Sequence, residues 1–275
     1  MTSLSRSLGD FLSSTSAVAL VEVVTAKGST PREAGAWMLV SSAAIFGTIG
    51  GGQLEFMAID AARALLVGEG GSETLDIPLG PEIGQCCGGR VELAISVIDA
   101  IKREELLRVA RADDAARPHV YLFGGGHVGT ALAGSLSLLP LHVVVVETRA
   151  DALDDMPLGV ETRLTSMPEE VARAAPAGSA FIVLTHDHAL DFLIVAEALG
   201  RADAAYVGMI GSKTKRETLR RWYLGEAGGT EEAFARVVCP IGGADVKDKR
   251  PAVIAALVAA EVTRALSAAS ALGST

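Results

Sequence analysis

Two apolar rhythms divide the chain. From residue 119 onward, short and nearly continuous apolar runs alternate with longer stretches at helical spacing. HVYLFG (119–124) and HVVVVE (142–147) read as strands, as do 160–164, 180–184 and 204–208. HVGTALAGSLSLL (127–139) reads as a helix between the first two, and further helices fill the later gaps. Runs that are apolar on both faces belong to buried parallel strands, and the βαβαβ rhythm predicts a doubly wound parallel sheet.

Before residue 119 the rhythm differs. AVALVEVVTA (17–26), AWMLVSS (36–42), SETLDIPL (72–79) and RVELAISVI (90–98) are bounded by turn residues and read as strands. In 53–68, Leu54, Met57, Ala61 and Leu65 fall at helical spacing, with Gly68 as the stop. IKREELLRVARA (101–112) is a charged surface helix, and DDAARP (113–118) breaks the pattern. The expected organisation is a mixed α/β domain over 1–112, a linker over 113–118 and a Rossmann-like domain over 119–275, all of fold class α/β.

Composition narrows the function. With 275 residues, 49% hydrophobic and only 4% aromatic, the cores must be built from Ala, Val, Leu and Ile. A net charge of −9 argues against a general nucleic-acid binder but leaves room for a local basic pocket. No run of about 18 apolar residues stands out as a membrane span. Asp10 and Glu22 interrupt the N-terminal stretch, and the closing AVIAALVAAEVTRALSAA, with Glu261 and Arg264, reads as an amphipathic or buried helix. Three cysteines do not make a disulfide framework, so a reducing cytoplasm is the expected home.

The candidate chemistry sits in glycine-rich turns. Gly124-x-Gly126-His127-x-Gly129 follows a strand and opens a helix, and Glu147 ends the next strand. That is the context of a dinucleotide fingerprint: glycines for close approach, a helix N-terminus for phosphate, an acid for a ribose hydroxyl. The same fold also holds other phosphate-bearing ligands. A second turn, Gly208 to Arg216, carries Ser212 as a helix cap with Lys213, Lys215 and Arg216 behind it. Cations there oppose the helix dipole, which a bound anion would relieve. His186 and His188 in FIVLTHDHALDF stand just past a strand end, where ligand contact or proton transfer is expected; the alternative is that Thr185 and Asp187 merely cap the next helix. They resemble a zinc HxHxDH motif, but Asp191 comes one position late and no histidine follows. In the first half, Lys27 and Arg32 sit in AKGSTPREAGAWMLV, and Gly50, Gly51 and Gly52 open a helix as a nest of N–H donors for an anion.

GQCCGG (84–89) places Cys86 and Cys87 side by side. Adjacent cysteines are poorly spaced for structural zinc and strained as a vicinal disulfide. Two buried bystanders, or a functional thiolate with Arg90 lowering its pKa, remain open; such a thiolate suits a soft metal or sulfur transfer.

Taken together, GSTPREAGAWMLV, GTIGGGQLE, GQCCGG, YLFGGGHVG, VLTHDHALD, YVGMIGSKTKR and CPIGG followed by KRPAVIAALVAAEV resemble the xanthine dehydrogenase accessory protein family, XdhC/CoxI, over nearly the whole chain. The segment ADVKDK (244–249) departs from the family's usual glycine-containing connection. The resemblance implies an XdhC/CoxI-type domain before the Rossmann-like one. It implies a chaperone, not a metabolic enzyme, that binds the molybdenum cofactor (molybdopterin). Such a chaperone protects the cofactor while a cysteine desulfurase sulfurates it and delivers it to the molybdenum subunit of apo-xanthine dehydrogenase. A homodimer is expected by the same analogy, with no nucleic-acid or membrane partner. Cofactor contacts are then expected from Arg32, Gly51, Gly52, Gly124, Gly126, His127, Gly129, Glu147, His186, His188, Ser212 and Lys213, with Cys86 or Cys87 facing the metal. The rival is an NAD(P)-dependent oxidoreductase using Gly124, Gly126, Gly129 and Glu147 with His186 as proton donor. A sulfurtransferase carrying a persulfide on Cys86 or Cys87 is a third reading.

Overall fold

The computed structural model describes residues 3–68, 71–81, 88–243 and 246–272. It divides into two compact units, Ser3–Ala115 and the chain from Ala116 onward.

The first unit is a five-stranded antiparallel sheet in the order β3-β2-β1-β5-β4. The strands are β1 (Ala19–Lys27), β2 (Trp37–Val40), β3 (Ile45–Gly47), β4 (Ser72–Pro78) and β5 (Arg90–Val97). α2 (Gly52–Val67) covers one face, where Leu54, Ala58 and Ala62 meet Val21, Val23, Met38 and Leu93. α1 (Leu4–Ser13) and α3 (Ala100–Ala115) cover the other, packing Leu8, Leu12 and Leu106 against Leu20 and Leu39. Both faces near β1 are thus apolar, which is why that strand is hydrophobic on either side of Glu22 and not strictly alternating.

α3 runs to Ala115, so the first half of the stretch read as a linker is helical. The reason lies 110 residues away in sequence. Asp114 turns its carboxylate onto the start of α1 and accepts the Leu4 and Ser5 N–H groups at 3.1 and 2.8 Å. α1 itself escaped the hydrophobic pattern; Ser3 caps it, accepting from the Arg6 N–H at 3.3 Å.

The second unit carries the expected doubly wound sheet. Six parallel strands run in the order β11-β10-β9-β6-β7-β8. They are β6 (His119–Phe123), β7 (His142–Glu147), β8 (Glu161–Leu164), β9 (Ala180–Val183), β10 (Tyr206–Met209) and β11 (Val237–Val238). One face packs on α5 (Pro168–Ala174), α6 (His188–Gly200), α7 (Lys213–Gly225) and α8 (Glu231–Ala235). The other packs on α4 (His127–Leu136) and α9 (Pro251–Leu272). Chain order reverses between β6 and β9, which makes the carboxyl ends of these two strands the switch point where such sheets bind ligands.

By length and composition, Pro251–Ala269 would pass as a membrane span, although its sequence pattern reads as an amphipathic or buried helix. In the fold, Ala255, Val258, Val262 and Leu266 of α9 are buried in the cluster that also holds Leu132 and Leu136 of α4. Glu261 reaches inward from α9. It accepts the Tyr206 hydroxyl at 3.0 Å and the Gly242 N–H at 2.6 Å.

Candidate functional site

In the second unit, the glycine turn after β6 is shaped by close backbone approach. A Cβ on Gly129 would lie 2.0 Å from the Gly124 carbonyl oxygen. One on Gly124, whose φ is +122°, would lie 2.6 Å from the Leu184 carbonyl oxygen. The turn is therefore pressed against both its own helix and the β9–α6 loop. Gly126 differs: nothing lies within 4 Å of the Cβ it lacks, and it is exposed together with His127. Its missing side chain leaves room outside the protein, at the start of α4, where a phosphate would approach.

Glu147 is 5% exposed. Its Oε2 accepts the Gly125 N–H at 2.9 Å, and its Oε1 accepts the Thr148 and Arg149 N–H groups at 2.8 and 3.2 Å. Burial pushes its pKa up, but the hydrogen bonds from these three N–H groups and the Thr148 hydroxyl outweigh it, holding the carboxyl below its usual range. The acid expected at a ribose is engaged in holding the glycine turn.

The β9–α6 loop repeats this device. Asp191, in the first turn of α6, is fully buried. Its Oδ1 accepts from the Thr185 N–H at 3.1 Å and the Thr185 hydroxyl at 2.7 Å, and its Oδ2 pairs with Lys215 Nζ. Asp187 caps α6, accepting the Ala189 and Leu190 N–H groups at 2.8 and 3.4 Å. His186 and His188 are both exposed; His188 opens α6 and lines a cleft, while His186 does not.

That cleft, about 550 Å³, is walled by Thr185, His188, Ser212, Lys215, Lys249 and Ile254, with Ile210 and Gly211 beneath. Ser212 caps α7, its hydroxyl accepting the Lys215 N–H at 3.2 Å. Of the three cations behind it, Lys215 turns inward to Asp191 and Arg216 lies 4.7 Å from the Phe234 ring centre. Lys213 is exposed and is not on the cleft wall. Of these three cations, the one that lines the cleft is thus Lys215, two residues beyond the expected Lys213. Cys239 Sγ lies 3.8 Å from the Ser212 carbonyl; burial pushes this thiol's pKa up against the opposing pull of Lys215 and Arg216.

In the first unit, the expected residues gather at one end of the sheet. The β1–β2 loop lies against Gly50, whose missing Cβ would sit 2.4 Å from Pro31 and 3.6 Å from Arg32. The same loop meets Gly89, where a Cβ would fall 2.2 Å from the Ser29 carbonyl oxygen. Gly50, Gly51 and Gly52 all have positive φ, a backbone path that their lack of a Cβ permits. The Ile49 and Gly50 N–H groups, however, donate to Glu55 Oε1 at 2.9 and 3.2 Å, and the Thr48 hydroxyl joins them. Burial raises the Glu55 pKa and these bonds lower it, with the lowering dominant. The chain's own carboxylate thus stands where an anion was expected. Gly51 and Gly52 follow at the start of α2, with Gly52 and Arg32 exposed.

Cys86 and Cys87 lie outside the described residues. Among the described residues that flank them, Leu79 and Gly88–Gly89 exchange backbone hydrogen bonds of 2.8 and 2.9 Å. Arg90, expected beside the thiols, forms a two-pronged pair with Asp76, both contacts 2.6 Å.

Comparison with known proteins finds two family models that match the chain. The XdhC Rossmann domain model matches residues 120–262, more than half the chain, and the XdhC and CoxI family model matches residues 12–78. The uncharacterized protein YqeB of Escherichia coli (strain K12) is 26% identical over 262 residues, covering 89% of this chain and 42% of its own length. The chain therefore spans less than half of that relative. A Bacillus halodurans protein, described as a xanthine dehydrogenase in its crystal structure, superimposes with a TM-score of 0.81 at 16% identity, covering 96% of both chains. That likeness is one of fold.

Proposed function

The chain belongs to the XdhC and CoxI family, and we propose that it is a maturation factor for a xanthine dehydrogenase that carries the molybdenum cofactor to the apo-enzyme. In this reading it acts without turnover of its own. It holds the pterin dithiolene with its terminal phosphate, presents it to a cysteine desulfurase and passes it to the molybdenum subunit of the partner. A homodimer in the cytoplasm is part of the proposal.

The observation that carries the reading is the crevice at the carboxyl ends of β6, β9 and β10. It combines an open glycine, Gly126, at a helix start with a cleft that Lys215 and Lys249 line. A phosphorylated cargo fits such a donor set. The cargo's molybdenum prefers soft sulfur ligands, which Cys86 and Cys87 would supply as thiolates.

The second reading, an NAD(P)-dependent oxidoreductase, draws on the strand order and on Gly124, Gly126, Gly129 and Glu147. Against it stands the engagement of both Glu147 oxygens by N–H groups of its own loops.

The test is retention. The purified chain is exposed to molybdenum cofactor released from a donor enzyme and freed of unbound material. Bound pterin is then assayed by its fluorescent oxidation product and molybdenum by mass spectrometry. Stoichiometric pterin in the wild type and its loss in Cys86→Ala/Cys87→Ala support a cargo carrier with thiols at the metal. Equal retention in both removes the thiols from the reading. No pterin, with NAD(P) bound instead, overturns it in favour of the oxidoreductase.

A further inference from the structure

Among the described residues, two carboxylates are buried, Glu147 and Asp191, and both stand at the crevice of the second unit. Glu147 holds a glycine turn; Asp191 holds a side chain. A carboxylate with no exposure loses several kcal/mol of hydration unless donors offset it. Asp191 has three: the Thr185 N–H, the Thr185 hydroxyl and the Lys215 ammonium. The outcome is positional. Lys215 sits on a flexible four-carbon stem, yet its side chain is only 12% exposed and fixed on the cleft wall. One of its three hydrogens serves Asp191, which leaves two for whatever enters.

Its neighbours in the cleft add further donors. Lys249 and the His188 ring stand on the same wall, and the first turn of α7 adds its N–H groups and the positive end of its dipole. With Lys215 balanced by Asp191, Lys249 and the roughly half charge of the helix start leave an excess of about one and a half positive charges. That matches a phosphate monoester better than a single carboxylate.

We propose that this cleft is a phosphate-monoester site in which the Lys215 ammonium contacts the phosphate and Lys249 closes over it. The proposal rests on the reading above insofar as it names where the cargo's terminal phosphate is held. The shared chemistry is the phosphate monoester itself, whether borne by a pterin or by a nucleotide.

The experiment titrates the full chain with inorganic phosphate and with adenosine monophosphate, followed by calorimetry and ³¹P NMR, for wild type, Lys215→Arg, Lys215→Met and Lys249→Met. The expected result is saturable phosphate binding that weakens about tenfold or more in Lys215→Met and Lys249→Met, the loss of one charge-assisted contact. Lys215→Arg should retain most of it. Because Lys215→Met strands Asp191 and can unfold the protein, Lys249→Met, an exposed position, keeps the test decisive. Unchanged affinity in Lys249→Met and in folded Lys215→Met, or no saturable binding to wild type, overturns the site. Adenosine monophosphate binding far more tightly than phosphate supports the site and assigns its source to a nucleotide. Cofactor retention is measured on the same preparations. Retained cofactor without phosphate binding sinks the cleft alone; phosphate binding without retained cofactor sinks the carrier reading alone.

Discussion

Glu147 Oε2 accepts the Gly125 N–H at 2.9 Å, tying the end of β7 to the glycine turn after β6. Leaving a buried donor unsatisfied costs about 1–3 kcal/mol, so Glu147→Ala should destabilise the second unit by that order. Urea unfolding of wild type and variant checks it. A loss within a few tenths of a kcal/mol would mean the turn holds itself.

The same carboxylate sets an acid limit. Its folded pKa lies below the ordinary value of about 4.3. A depressed carboxylate contributes stability that is present above the unfolded pKa and lost as pH falls through the folded one. Stability of the wild type should therefore drop below about pH 4, and Glu147→Gln should flatten part of that drop. Unfolding midpoints between about pH 2.5 and pH 7 test this; parallel curves would refute it.

Two glycines of the fingerprint should behave in opposite ways. A Cβ on Gly129 meets the Gly124 carbonyl oxygen at 2.0 Å, whereas one on Gly126 meets nothing within 4 Å. Gly129→Ala should cost about 1–3 kcal/mol through overpacking, or more if the turn cannot shift. Gly126→Ala should melt within a few degrees of wild type. If it also loses its ligand, the side chain has collided with that ligand and not with the protein.

Asp191 and Lys215 form a closed pair, and breaking one side should cost more than removing both. Lys215→Met leaves a carboxylate buried and unpaired, a loss of about 3–5 kcal/mol. Asp191→Leu together with Lys215→Met should recover most of it. A double-mutant cycle in urea gives the coupling, and additive losses would show that the pair contributes no mutual stabilisation.

Much of this architecture was readable in advance. The second unit's strands are apolar on both faces, so their runs stand out, and Gly124, Gly126 and Gly129 fall where strand passes to helix. β3 and β11, of three and two residues, are too short to carry a pattern. The internal anions were hidden for another reason. Glu55, Glu147 and Asp191 complete turns that are defined only after folding, so spacing alone showed open donors where the chain supplies its own acceptor. Asp191 had left one trace: it shares a helix face with Ile194, Val195 and Ala198, and a charge at a core position signals a buried partner. Lys215 in place of Lys213 follows from helical phase, since the inward face of α7 also carries Leu219 and Tyr223.

Glu261 gives α9 a place in the order of assembly. Tyr206 on β10 and the Gly242 N–H both wait for a carboxylate that the ribosome adds 55 and 19 residues later. During synthesis the Rossmann sheet can gather its strands, but the face that α4 shares with α9 stays half uncovered until α9 arrives. A nascent chain halted before Glu261 should expose that face to chaperones and proteases, and ligand capture by this unit has to wait until α9 has been made.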